Sequence, residues 1–416
     1  MALLLMALTT VGIAYVTGLS TGIVTIPVGV LPTSVAVDGR TQRAFVTNSA
    51  DNSVSLLDTH RGTVVGTLAV GAAPALVVID ESTGHAFVFN RGDRSVGMLD
   101  VATGTFLRTV ALPRMGGSGQ TMTVDERAGR VFVMSGADGG IGTVSVLSSH
   151  TGMALGTTTV GESPQGVAVD APAGHIFVAN CGNGTVSVVD ATNARVVRTV
   201  RVGGCPTAVA VDVRLHRAFV ANANDDTVSV LDTRNGVVLR TVAVGVSPKT
   251  LAVDARAGTV FVVNSSDNTV SVLDAHTGAV RRTVAVGTAR PQLESYTNGG
   301  DVGVDERAGR AYVLNGGDTD RTGASTTNGS VSVLDARTGR VRATVAVGRS
   351  PVAMAVDETT HRLFVVNSAP ADTADRDWGW GWGWVPSWVR PALPWLARRP
   401  PPTLGGSVTV IDLSRA

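Results

Sequence analysis

The chain has 416 residues, a formal net charge of +1 and 16% charged residues, against ~25% in an ordinary soluble domain. Near-neutral charge, with no basic cluster and no aromatic-spaced stripe, excludes nucleic acid as a partner by bulk attraction. The length is large for one domain unless the architecture grows by repetition.

Residues 1–16, MALLLMALTTVGIAYV, are apolar, and no Lys or Arg precedes Arg40. The run is short of the ~20 residues that a membrane span needs. It has the apolar centre of a secretory signal without the positive n-region. Two accounts stand: a signal whose start lies upstream of Met1, or a repeat remnant at Ile13–Val16. Residues 1–20 are therefore set apart as a signal-like or remnant segment, and 21–416 are expected to form a single domain.

Beyond that point one unit recurs. Residues 204–245 read GCPTAVAVD, HRAFVAN, DDTVSVLD and NGVVLRTVAVG, four short apolar runs rich in Val, Thr and Phe between turn residues. Such runs suit strands a to d of an antiparallel meander. The Asp ending strand a recurs at Asp38, Asp80, Asp125, Asp170, Asp212, Asp254, Asp305 and Asp357, at intervals of 42, 45, 45, 42, 42, 51 and 52 residues. That period with four strands predicts an all-β propeller.

Strands a, b and c occur eight times, whereas strand d follows its own strand c only seven times. The last unit stops at strand c, Ser407–Asp412, and the missing strand d stands at the other end, Thr21–Gly29. Eight blades follow, with the N-terminal strand completing the last one and closing the ring. Seven blades is the alternative if one unit is degenerate.

AYVTG at 14–18, AFVTN at 44–48, YVLN at 312–315 and the VSVLD and TVAVG runs resemble the YVTN-type β-propeller repeat family, over roughly residues 14–412. The resemblance implies a bacterial or archaeal exported or surface propeller. It transfers no catalytic residues, because the motif is structural. Relatives commonly have seven blades, so eight is a departure.

Five interruptions break the period: Pro113–Gln120 and Thr288–Asp301 between strands d and a, and Gly136–Gly142, Gly316–Ser330 and Ser368–Gly406 between b and c. Because antiparallel strands alternate in direction, all five belong to one face of the ring. Insertions gathered on one face commonly mark a binding face. Residues 368–406 hold all six tryptophans, in DWGWGWGWVPSWVRPALPWLARRPPP. Trp378, Trp380, Trp382, Trp384 and Trp388 are candidate ligand contacts, since alternating Trp-Gly in an extended run aligns indoles for stacking on sugars or lying at a lipid interface. Trp395 and three arginines follow. Packing of these indoles over the propeller end is the bland alternative. Arg290, Glu294, Tyr296 and Asp301, which break the repeat in residues 288–301, are the other candidate ligand contacts.

The seven histidines fall in a–b and c–d turns on the opposite face and read as turn residues. No CxxCH motif is present, and a haem propeller wants an axial histidine on the decorated face, so no cofactor is assigned. Aspartates three residues past strand b, such as Asp51, Asp93, Asp225 and Asp267, occupy one register and serve the turn. Asp318 and Asp320 match no complete calcium loop, and no metal is assigned. Cys181 and Cys205 emerge at the same end of a blade; a disulfide and two unpaired thiols both remain open.

Two functions are carried forward. One is an exported scaffold whose insertion-bearing face contacts a protein, a glycan or a membrane surface, placing it in the periplasm, at the cell surface or outside the cell. The other is a lactonase- or lyase-like enzyme with acids at the axial mouth. Fold does not choose between them.

Overall fold

Strand a of the fifth repeat, Pro206–Asp212, turns into strand b, Arg217–Asn222, then into c, Thr227–Asp232, and d, Val238–Ala243. Each pairs antiparallel with the one before, through partners such as Asp212↔Arg217 and Arg217↔Asp232. The computed structural model describes residues 11–16, 19–112, 120–137, 140–287, 302–316, 327–369 and 405–414, and there the same four-stranded sheet recurs eight times. No α-helix occurs among the described residues. The protein is an eight-bladed β-propeller.

The period of two explains why the blades need one another. In strand b of blade 5, Phe219 points into the core shared with blade 6, and Val220 into the core shared with blade 4. Both faces of a blade are apolar, so burial comes only from neighbours. Eight core clusters lie between adjacent blades, one per boundary. A fully buried aromatic at the third position of strand b is present in every blade, from Phe45 to Phe364, with Tyr312 in blade 7. Each is worth about 2–3 kcal/mol in transfer. The eight strands a form the inner ring, where Pro32–Asp38 of blade 1 lies between Pro351–Asp357 of blade 8 and Pro74–Asp80 of blade 2.

The seam lies where the strand count places it. Leu19–Pro27 pairs antiparallel with Ser407–Asp412, from Gly22↔Asp412 to Pro27↔Ser407, and Ile26 is buried in the core that joins blades 8 and 1. The apolar run before it continues the sheet. Val11–Val16 pairs with Leu19–Pro27 as a fifth, outermost strand. Blade 3 also departs from a plain loop insertion, because its strands b and c run on to Ala137 and from Gly140, with Ile141 pairing to Glu162 of strand d. Part of that insertion is therefore a lengthened hairpin.

Candidate functional site

The b–c loops and d–a links share one face, held by side chains that the repeat supplies. The Asn closing strand b is buried in seven blades. In blade 5, Asn222 Nδ2 donates to Thr227 Oγ1 at 3.0 Å and Ser229 Oγ at 2.9 Å. Asn264 repeats this with Thr269 and Ser271. The Gly ending the TVAVG run exists for this side chain: a Cβ on Gly203 would lie 2.7 Å from Asn222 Cβ.

The aspartates three residues past strand b serve their own turn, as Asp267 does for Thr269 and Asp93 for Ser95, and also reach beyond it. Asp51, Asp93, Asp225 and Asp267 each accept a hydrogen bond from the amide of Val30, Ala72, Gly204 and Val246 respectively, in the link 21 residues upstream. The b–c loop thus fastens the d–a link leading into its own blade. One residue further on, Asn52 and Asp226 accept from Ala73 and Ser247, in the link to the next blade.

Blade 4 lacks both devices, since Asn183 and Gly184 occupy those registers. There the chain makes a short 3-10 turn, Cys181–Asn183. A disulfide from Cys181 to Cys205 ties the loop to the link into blade 5. A covalent bond stands where blades 1 and 5 use a side-chain hydrogen bond.

All five interruptions leave and re-enter the ring on this face, at the ends of strands whose direction fixes the side. Arg290, Glu294, Tyr296, Asp301, Trp378, Trp380, Trp382, Trp384 and Trp388 lie outside the described residues, as do Asp318 and Asp320. Among the described residues no three His, Cys, Asp or Glu side chains are placed to hold a metal ion.

On the opposite face the histidines do more than turn the chain. His85 and His175 begin strand b, and their Nδ1–H groups donate to the carbonyls of Ser149 and Thr233 in the next blade, at 2.9 and 3.0 Å. Arg362 does the same with Thr59 of blade 1, at 2.6 Å, and Arg310 with Leu413 of blade 8, at 2.7 Å. These bonds clip blades 2, 4, 7 and 8 to the next blade in the ring. Their acceptors lie far off in sequence, so no local signal announces them.

The ring of aspartates ending strand a is buried here, and each Oδ1 caps its a–b turn, as Asp212 does from the amides of Arg214 and Leu215. Between blades 7 and 8 the repeat is broken. Asp305 Oδ2 lies 2.8 Å from His361 Nδ1, and His361 takes a left-handed backbone slot, φ 55°, that Gly fills in blade 7 (Gly309). Tyr312 stands where the other blades have Phe. Its hydroxyl is pushed well up by burial and by the charge of Asp305. Glu358 is raised by burial, then by Asp305 and Glu306. Glu81 is raised by burial, then by Asp38 and Glu126. Sequence reasoning missed this cluster; Tyr312 in place of Phe was its signal, whereas His216 and Gln42 fill the slot of His361 in blades 5 and 1.

A family model described as the NHL repeat matches residues 162–189, which is strands a and b and most of c in blade 4. The chain is a repeat propeller. Among curated proteins none matches this sequence. Among solved structures, BamB from Moraxella catarrhalis is similar over 96% of this chain and 100% of its own, at 16% identity and a TM-score of 0.60. The dihydro-heme d1 dehydrogenase NirN, in complex with DHE, is similar over 76% of this chain and 66% of its own, at 12% identity and a TM-score of 0.56. A functionally unknown protein from Desulfotomaculum acetoxidans DSM 771 is similar over 75% of this chain and 94% of its own, at 14% identity and a TM-score of 0.54. These likenesses establish the fold that the three share with this chain.

Proposed function

We propose that this chain is an exported propeller serving as an interaction scaffold, with its insertion-bearing face engaging an envelope protein, a glycan or a lipid surface through the Trp-rich segment. The observation that carries it is the placement of all five interruptions on one face, over a scaffold otherwise built from a strict repeat. One further feature supports it: a disulfide suits an oxidising compartment.

Tryptophan fluorescence tests the reading, because all six tryptophans fall in residues 368–406. Titration of the full chain with liposomes, and separately with soluble cell-wall glycans, should give a saturable blue shift or quench with one of them. An emission spectrum indifferent to both, together with no captured envelope protein, would sink it.

A second reading, an acid–base enzyme, draws on the raised carboxyls of Glu81 and Glu358, which flank blade 1 at the axial end of strand a. It requires that a panel of lactones be turned over and that Glu81→Gln and Glu358→Gln abolish the turnover while the fold is kept. Turnover unaffected by both variants would remove it.

A further inference from the structure

The outer wall of the ring is not uniform. Strand d of blade 1, Thr63–Ala69, carries no charge, whereas strand d of blade 4, Arg195–Arg201, reads RVVRTVR. In blades 6 and 7 one strand-d arginine pairs with the carboxylate that ends strand c, Arg281–Asp274 and Arg342–Asp335, and in blade 5 Arg234 of the c–d turn pairs with Asp232. In blade 4 the corresponding carboxylate, Asp190, is taken up by Thr192 and Asn193. Among the described residues Arg195, Arg198 and Arg201 make no ion pair, and all three are exposed, as are Val196 and Val197.

The sheet of blade 4 ends at this strand, so its outward backbone groups have no ladder partner. Such an edge templates the addition of another strand. The fold contains one worked instance, since the outer edge of blade 8 is covered by Val11–Val16 of the same chain. Blade 4 is also the blade that the Cys181–Cys205 disulfide braces against its neighbour, which keeps the edge in place. Three arginines on one edge repel a second basic edge, and so act against pairing with a copy of this blade. The same charges attract an acidic strand.

We propose that the outer edge of blade 4 accepts an extended, acidic polypeptide segment by strand addition, with Arg195 and Arg198, which the bulge at Val197 sets on one face of the sheet, pairing its carboxylates and Val196 packing on its apolar side chains on the other face. Backbone pairing supplies affinity, and the arginines supply the choice of partner. This surface is separate from the insertion-bearing face, so the proposal stands or falls independently of the Trp-rich segment.

The test uses the full chain and a fluorescein-labelled peptide of alternating Glu and Val, read by anisotropy. The expected result is a saturable rise, abolished when alternate peptide amides are N-methylated and absent for the Lys/Val counterpart. Arg195→Glu with Arg198→Glu should weaken binding roughly tenfold or more, with circular dichroism and melting unchanged. Arg234→Glu on blade 5 should leave it intact. Equal binding of the N-methylated peptide would overturn strand addition. So would binding indifferent to the blade 4 arginines. No binding of the acidic peptide, with arginine-dependent binding to phosphatidylglycerol vesicles instead, would assign the wall to a lipid surface and refute the proposal.

Discussion

Ile26→Ala is the substitution that tests the ring closure most directly. The side chain sits in the last outer strand to be matched with its blade, yet it is buried at 2% exposure among Val35, Ala44, Phe364 and Val408. Three carbons are lost, worth about 2.4 kcal/mol at ~0.8 kcal/mol each. The cavity adds to this, giving roughly 2–5 kcal/mol. The comparison is Leu239→Ala, a similar truncation on strand d of blade 5, where the side chain is 47% exposed; surface changes of that kind stay within about 0.5 kcal/mol. Urea denaturation gives both values, and hydrogen exchange at Ser407–Asp412 shows whether the loss begins at the seam. Equal, small effects for the two variants, with no change in exchange at Ser407–Asp412, would refute closure by the N-terminal strand.

Asn222→Ala removes the donor to Thr227 and Ser229 and should cost about 1–3 kcal/mol in the same denaturation experiment; an effect below ~0.5 kcal/mol would mean that the repeat Asn is dispensable. Reducing Cys181–Cys205, which closes a loop of sequence separation 24, should lower stability by roughly 3 kcal/mol, read as a drop in the denaturation midpoint with dithiothreitol. At Asp274 and Asp335 burial works against ionisation, but the Thr277 amide and Arg281 at one, and Arg342 with the Thr338 amide at the other, hold the carboxyls down at about 2. Folded values below the unfolded ones mean that these pairs stabilise above about pH 4, and that the contribution fades as pH falls from about 4 to 2. Both pairs are partly exposed, so Asp274→Asn should cost no more than about 1 kcal/mol at pH 7 and nothing near pH 2; a pH-independent difference would contradict the assignment.

Much of the fold was legible because it rests on signals that sequence carries locally. Alternation of two along AFVAN and VSVLD states which residues face each neighbouring blade. The one unmatched strand d, at residues 21–29, forces the closure. What escaped was cross-blade chemistry. His85 looks like a turn residue until Ser149 is found beside it, 64 positions on. The acceptor role of Asp225 was expected within its turn, but its partner is Gly204 in the preceding link, because the antiparallel pairing of strands a and b brings the entry to one and the exit from the other to the same rim. Candidate contacts were drawn from the insertions, which lie outside the described residues. The polar cluster at Asp305 and His361, on the other rim, is marked in the repeat by Tyr312 in place of Phe, a change small enough to pass for drift.

The seam also sets an order of events. Gly22 pairs with Asp412, so the strand that closes the ring is made among the first and finds its partner among the last. At ~5–20 residues per second, synthesis of the intervening chain takes about 20–80 seconds. Through that interval blade 1 has no neighbour on one side, and the apolar surface of Val35, Ala44 and Val46 stays open. Contacts this distant in sequence slow the final step further. A half-built ring therefore carries open apolar surface, and the N-terminal hairpin of Val11–Val16 and Leu19–Pro27 is the part of it left waiting longest.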